Sequence, residues 1–260
     1  MSTETRREAV REAFDAAEEY DQYAVVQHGV AEDLAQKLST LYLVDNPKIL
    51  EIGCGTGYLV EAMMERGIYG DYLVTDVSPA MVERTRAKIG EGSDISYAVL
   101  DGEYGEPEGG PFDIVCSNLT LQWFDDPRTA IGRMLEWVAP GGHLVVTILT
   151  SGTFAEWRKA CEAEGVEPGI PKFPEPADLG DWYPHYWAMP PKGHRYARIY
   201  KNGINFLRSL HGLGANTPKE GYTPMKPSVL RRVFRHYETP NAKSTYDVVT
   251  LHYTVPFDAE

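Results

Sequence analysis

Glu51, the glycines at 53, 55 and 57, and Asp76 are the residues of this 260-residue sequence whose kinds and spacing say most about chemistry. The first four fall within Lys48–Leu59, KILEIGCGTGYL, where Ile49, Leu50 and Ile52 form a short apolar strand and the residues after Gly57 read as a helix. Glycines between a strand and a helix let a ligand approach the bare backbone. They also leave the unpaired N–H groups and positive dipole end of the helix facing that ligand. A tight strand-to-helix packing turn would use the same glycines, so the neighbouring residues must decide. Asp76 lies about twenty residues past the last glycine, the spacing at which a Rossmann-like unit holds ribose hydroxyls.

Those residues need a scaffold, and the chain supplies alternating strands and helices. After the opening strand, Tyr58–Arg66 reads as a helix ended by Gly67, and Tyr72–Thr75 as a strand that delivers Asp76. Ser78-Pro79 starts a helix to about Lys88, with Ser78 as N-cap and Pro79 at the first position. Ile95–Leu100 and Phe112–Ser117 are the third and fourth strands, ending at Asp101-Gly102 and Asn118. Pro127–Val138 reads as a helix closed by Pro140-Gly141-Gly142, and Leu144–Leu149 as the fifth strand. This alternation predicts an α/β fold with a doubly wound, mainly parallel sheet. Glu51, Asp76, Asp101 and Asn118 then share the edge formed by the strand C-termini, where such folds bind ligands.

Helices are expected over Thr3–Glu19 and on through Leu38, the second with Val26, Val30, Leu34 and Leu38 on one face. Beyond residue 150 the pattern loosens. Phe154–Ala163 is a helix, and Gly165–Pro191, rich in proline and aromatic residues, reads as an irregular cover. Arg195–Tyr200 and Thr245–Thr254 read as strands of an antiparallel edge that brings the sheet to seven, with helices at Ile204–Leu213 and Ser228–His236 inserted as a lid. The chain thus divides into N-terminal helices (1–45), a nucleotide-binding core (46–150), a lid region (151–243) and a closing strand (244–260).

The net charge is −13, unevenly spread: residues 1–150 hold 11 Lys/Arg against 26 Asp/Glu, whereas residues 151–260 hold 14 against 12. Within Lys192–Lys243, 11 basic residues face only Glu220 and Glu238, a local charge of +9. Such a stretch is either a solvated face or a docking surface for an acidic partner, which gains mainly in on-rate and orientation. An acidic protein without interleaved aromatic platforms is not expected to bind nucleic acid. Cys54, Cys116 and Cys161 are odd in number and widely separated, which argues against a disulfide framework and for a reducing cytoplasm. The segment MSTETRREAV has no apolar signal core and no run approaches a membrane span, so a soluble cytoplasmic protein is expected. His28, His143 and His185 lack metal-ligand spacing, and no metal site is expected.

Two nucleotide ligands suit the glycine turn. A dinucleotide wants G-x-G-x-x-G, but the register here, Gly53-Cys54-Gly55-Thr56-Gly57, is one residue tighter. An acid at Glu51 also suits a positive amino group better than a diphosphate. The sequence Glu-x-Gly-x-Gly-x-Gly resembles motif I of the class I S-adenosyl-L-methionine (SAM)-dependent methyltransferases. The resemblance continues at Asp76, where it implies contacts to ribose hydroxyls, and at Met81, on the adenine face. Asp101-Gly102 would meet the adenine amino group and Asn118 the methionine part. The full set that the resemblance implies is Gln27, Glu51, Gly53, Cys54, Gly55, Asp76, Val77, Met81, Asp101, Gly102, Asn118 and Leu119, with S-adenosyl-L-homocysteine as product.

Rarer stretches resemble the malonyl-acyl-carrier-protein O-methyltransferases of biotin synthesis. These are Tyr20-Asp21-x-x-Ala24-x-x-Gln27, Ser117-Asn118-Leu119-x-Leu121-Gln122-Trp123, Phe206-Leu207-Arg208-Ser209-Leu210-x-Gly212-x-Gly214-Ala215 and Thr245-Tyr246-Asp247-Val248-Val249. Two departures are His211, where the family usually has Lys, and a longer proline-rich cover. The resemblance implies transfer of a methyl group to the free carboxylate of a malonyl thioester on an acidic acyl carrier protein, which would dock on the basic Lys192–Lys243 stretch. It implies Tyr20 and Arg208 as the catalytic residues. A carboxylate needs no general base at pH 7, and neither paired carboxylates nor a Cys–His motif is found. A small-acid methyltransferase of the trans-aconitate kind, or a methyltransferase-like assembly factor for respiratory complex I, would share much of this pattern.

Overall fold

The computed structural model describes residues 3–215 and 222–257. Among these residues, seven strands are interspersed with helices: β1 (Lys48–Ile52), β2 (Asp71–Asp76), β3 (Ile95–Val99), β4 (Phe112–Asn118), β5 (Val138–Leu149), β6 (Trp187–Tyr200) and β7 (Ala242–Thr254). They form one sheet in the order β3-β2-β1-β4-β5-β7-β6. The pairs β1–β2, β1–β4, β2–β3 and β4–β5 are parallel. Pairing between β5 and β7 runs the other way: Gly141 N donates to Val255 O, and Thr150 N to Asp247 O. The strand order reverses at β1, as a doubly wound fold requires.

Contacts divide the chain into two compact units, each assembled from three segments. One comprises Gln27–Ile148, Ala177–Lys192 and Val249–Glu260; the other comprises Met1–Val26, Leu149–Pro176 and Gly193–Val248. Strands β6 and β7 contribute residues to both.

In the first of these, the period of two along the strands sorts residues onto opposite faces. Leu50, Ile52, Val115, Leu144, Val146 and Ile148 pack with Ile131 and Met134 of α6 (Pro127–Glu136). Ile49, Ile114, Cys116 and Val145 pack with Leu34 and Leu38 of α3 (Val25–Leu38) and Leu59 and Met63 of α4 (Tyr58–Glu65). Each large apolar side chain fully buried this way contributes about 1.5–3 kcal/mol. Helix α5 (Pro79–Ile89) starts as its sequence dictates, with Ser78 Oγ accepting from Met81 N at 3.1 Å. Helix α6 does the same through Asp126, which accepts from Thr129 N at 3.1 Å. Helix α4 differs. It follows Gly57 at φ 84° with no side-chain cap on its first turn.

The second unit holds α1 (Thr3–Asp15), α2 (Tyr20–Tyr23), α7 (Ala155–Ala163), α8 (Gly203–Gly212) and α9 (Pro227–Tyr237). An aromatic cluster joins α7, α8 and α9. Phe206 meets Phe154 at 5.3 Å and Tyr200 at 5.4 Å between ring centres, and Trp157 meets Tyr237 edge-on at 5.6 Å.

Three boundaries differ most from the sequence expectation. The first helix ends at Asp15 rather than Glu19. Strand β5 begins at Val138 rather than Leu144, because Gly141 and Gly142 exchange hydrogen bonds with Val255, over a hundred residues away. Strand β6 begins at Trp187 and passes through Pro190-Pro191, inside the expected irregular cover. It is the last strand in the sheet order, and an edge tolerates prolines that lack a donor.

Candidate cofactor site

Parallel pairing brings the C-terminal ends of β1, β2 and β4 side by side: Glu51 lies opposite Val74 on one flank and Cys116 on the other. The glycines then turn the chain through left-handed conformations, with φ 73° at Gly53 and 56° at Gly55. Gly53 has a further reason to lack a side chain, since a Cβ there would lie 2.2 Å from Thr120 Oγ1.

This turn is bonded to β2. Cys54 N donates to Thr75 O at 2.8 Å, and Thr75 Oγ1 donates to Glu51 O at 2.7 Å. The Asp76 carboxylate is held at both oxygens, by Gly55 N and by Ser78 N, each at 2.9 Å. Thr85 Oγ1 donates to Gly55 O at 2.8 Å, tying α5 to the same turn. Val77 is half-buried and Met81 is buried at the start of α5.

The remaining expected residues form two smaller groups. Asn118 donates from Nδ2 to Gln27 O at 3.0 Å and accepts from Thr147 Oγ1 at 3.0 Å. Leu119, at φ 51°, donates its N–H to the same Thr147 hydroxyl at 2.9 Å. Asp101 accepts through Oδ1 from Glu103 N and Tyr104 N, which folds the chain after β3. A Cβ on Gly102 would meet Ile52 Cγ2 at 2.3 Å. Tyr20 and Arg208 belong to the other unit. Tyr20 opens α2, half-buried, its ring 6.5 Å from that of Phe14. Arg208 is exposed on α8, between buried Phe206 and Ser209.

Glu51 is the electrostatic focus of the turn. It is 1% exposed, and burial, aided by the negative charge of Asp76 and opposed by the Val60 N–H, pushes its carboxyl up to about 8. Its Oε2 has no hydrogen-bond partner among the described residues, and neither has the buried Oε1 of Gln27. An unpartnered buried carboxyl oxygen at a bare glycine turn, with the fixed carboxylate of Asp76 near it, fits a ligand that brings an ammonium group and vicinal hydroxyls.

Thr120, Thr147 and Thr85 shape this site but carried no motif. Thr147 alone had a visible signal, as a polar residue in the otherwise apolar run Leu144–Leu149. It is 1% exposed, so its hydroxyl had to be bonded to something inside. Among the described residues, no group of three or more His, Cys, Asp or Glu has a metal-binding arrangement. No described helix is long and apolar enough to cross a membrane.

Comparison with known proteins places the family and the fold. A methyltransferase-domain family model matches residues 26–214. The crystal structure of BH2331 from Bacillus halodurans C-125 shares the fold, with a TM-score of 0.61 over 86% of this chain and 99% of its own at 12% identity. The chain belongs to the class I SAM-dependent methyltransferases, and SAM is its cofactor. Among its relatives, the malonyl-[acyl-carrier protein] O-methyltransferase of Magnetococcus marinus is 32% identical over 256 residues, spanning 97% of this chain and 94% of that protein. The biotin biosynthesis bifunctional protein BioCD of Bordetella avium is 33% identical over 241 residues, 92% of this chain but 50% of that longer protein.

Proposed function

We propose that this chain methylates the free carboxylate of a malonyl thioester carried on an acyl carrier protein, an early step in biotin synthesis. The observation that carries the proposal is the near end-to-end similarity to a protein named for that reaction, at 32% identity over 97% of the chain.

SAM, when bound, supplies an electrophilic methyl group on a positively charged sulfur. In this reading Glu51 and Gln27 take its amino group with their unpaired buried oxygens. Asp76, fixed by Gly55 N and Ser78 N, is preset to accept from ribose hydroxyls. Met81, Asp101 and Gly102 bound the base, while Asn118 and Leu119, locked through Thr147, line the methionine end. No residue has to remove a proton, because the acceptor carboxyl, with a pKa of roughly 4, is already ionised at pH 7. Charge disappears as the methyl moves, so a dry site favours the reaction more than a strong cation beside the nucleophile would. Alignment does the rest, and well-oriented reactants reach effective molarities of order 10⁵–10⁸ M. Tyr20 is assigned to orient the carboxylate through its hydroxyl. Arg208 is assigned to the thioester carbonyl or to the phosphate of the carrier's prosthetic arm.

The test is a SAM-binding titration followed by transfer of labelled methyl to malonyl carrier protein, together with rescue of a biotin-requiring strain. Methylation of the carrier-bound malonyl group and rescue are expected. Methylation of free trans-aconitate but not of the carrier would replace this reading with small-acid methylation. Tight partner binding without turnover would replace it with an assembly role.

A further inference from the structure

The +9 of the Lys192–Lys243 stretch is a sum along the sequence, and folding redistributes it. Lys219 lies outside the described residues. Of the others, Arg195 pairs with Asp247 at 3.0 Å, Arg232 with Glu164 at 2.6 Å, and Lys243 with Glu156 at 3.7 Å. Arg198 donates to Tyr23 O at 2.7 Å and lies over the Tyr200 ring. The three acidic partners lie outside the stretch, so the sequence count could not include them. Four of the basic residues are therefore committed to holding this unit together.

Arg231 and Arg235 are different. They are exposed, sit one turn apart on the same face of α9, and have no ion pair among the described residues. Both line a cavity of about 700 Å³ between the start of α8 and the body of α9, with Asn202, Ile204, Ser228 and Phe234. The other two charged residues of the lining are already engaged. Arg232 is held by Glu164, and Glu238 Oε1 accepts from Gly203 N at 2.7 Å in the first turn of α8. Ile204, 49% exposed, and Phe234 give the same lining an apolar component. Lys201 and Lys226, both exposed, flank Asn202 and Ser228 in sequence.

We propose that this α8–α9 groove docks the acidic face of the carrier protein, with Arg231 and Arg235 as its charged anchors and Ile204 and Phe234 as its apolar contact. The assignment rests on the function proposed above for its choice of partner. A lining that combines unpaired arginines with exposed apolar surface matches an acidic amphipathic helix better than it matches a small anion, for which the cavity is too large. Nucleic acid is disfavoured by the −13 net charge of the whole chain. Exposed charges of this kind act on encounter and orientation and are screened over about 10 Å at 0.1 M salt.

The experiment compares the full-length protein with Arg231→Glu/Arg235→Glu and with Lys159→Glu/Lys172→Glu, a control that changes net charge equally at exposed sites outside both the groove lining and the Lys192–Lys243 stretch. Three quantities are measured: anisotropy of labelled malonyl carrier protein, turnover of that substrate, and turnover of a small malonyl thioester. Expected for the groove variant is at least a tenfold weaker Kd and a similar rise in KM for the carrier substrate. Its salt dependence should shrink, and its turnover of the small thioester should match wild type. The control should bind within about twofold of wild type. Equal losses in groove and control variants, or a groove variant that binds like wild type, would overturn the docking site while leaving the function intact. Carrier binding by wild type that the groove variant loses, without turnover by either, would uphold the site and overturn the proposed reaction. Absence of carrier binding by wild type would overturn both.

Discussion

Replacing Glu51 by Gln should make the ligand-free protein more stable at neutral pH while weakening its hold on SAM. Unfolded, the Glu51 carboxyl ionises at its ordinary 4.5; folded, burial and the charge of Asp76 hold it protonated to about 8. A group raised on folding stabilises the protein below its unfolded value, and that contribution drains away as pH rises toward the folded value. Between those limits the native state must keep a proton that the unfolded chain releases. At pH 7 this costs on the order of 3 kcal/mol, a sizeable part of the 5–15 kcal/mol typical of a domain. Gln is isosteric with the protonated acid, so the buried group that lacks a partner is not a new defect. In urea titrations from pH 5 to pH 9, E51Q should match wild type near pH 5 and exceed it increasingly toward pH 8. Ligand affinity should move oppositely. A carboxylate that receives an ammonium must first lose its proton, so wild-type SAM affinity should rise by up to about tenfold per unit from pH 6 to pH 8, and E51Q should lose that slope. Equal stability of the two proteins at pH 8, or the same pH slope of SAM affinity in both, would refute the assignment of Glu51 as a strained, ligand-compensated acid.

Gly53→Ala forces a side chain into a left-handed residue and against Thr120, so it should cost at least about 2 kcal/mol in urea unfolding. Adding Thr120→Ala removes the Oγ1 and Cγ2 atoms at 2.2 and 2.5 Å and should recover part of that loss; strict additivity would show that the contact is not the cause. His252 is lowered to about 3 by burial and by the positive charges of Lys37 and His143. Stability is therefore complete above its ordinary 6.5 and falls by about 2 kcal/mol by pH 5, a loss that His252→Phe should flatten in denaturant midpoints taken at pH 7.5 and 5. Tyr20→Phe should slow methyl transfer by about tenfold to a hundredfold, the worth of a hydrogen bond to a charged group, without changing SAM affinity in a titration. Full turnover would remove the hydroxyl from the mechanism.

The strand-turn-helix of the candidate cofactor site was legible because its parts are local. Glu51 and the glycines occupy one strand-turn-helix, and Asp76 follows at the end of the next strand. In the parallel sheet Glu51 comes alongside Val74 and Cys116. What escaped the sequence depends on partners far along the chain. The first half of β5 looked like a helix stop, since Pro140-Gly141-Gly142 reads that way until Val255 arrives to bond it. Strand β6 looked irregular because its prolines are acceptable only at an edge, and edge position is a property of the whole sheet. Thr120 has no motif, yet its side chain decides that residue 53 has no Cβ.

The basic stretch teaches the same lesson in the opposite direction. Along the sequence, Arg195, Arg232 and Lys243 look like surplus charge, because Asp247, Glu164 and Glu156 lie outside the interval over which the charge is counted. Folding pairs them, and of the six exposed basic residues outside those pairs (Lys192, Lys201, Arg208, Lys226, Arg231 and Arg235) only Arg231 and Arg235 line the groove. A charge count along a chain therefore sets only an upper bound on what a partner meets. Ion pairing removes part of a fifty-residue interval and the groove lining narrows the rest to two side chains, whose reversal can be measured.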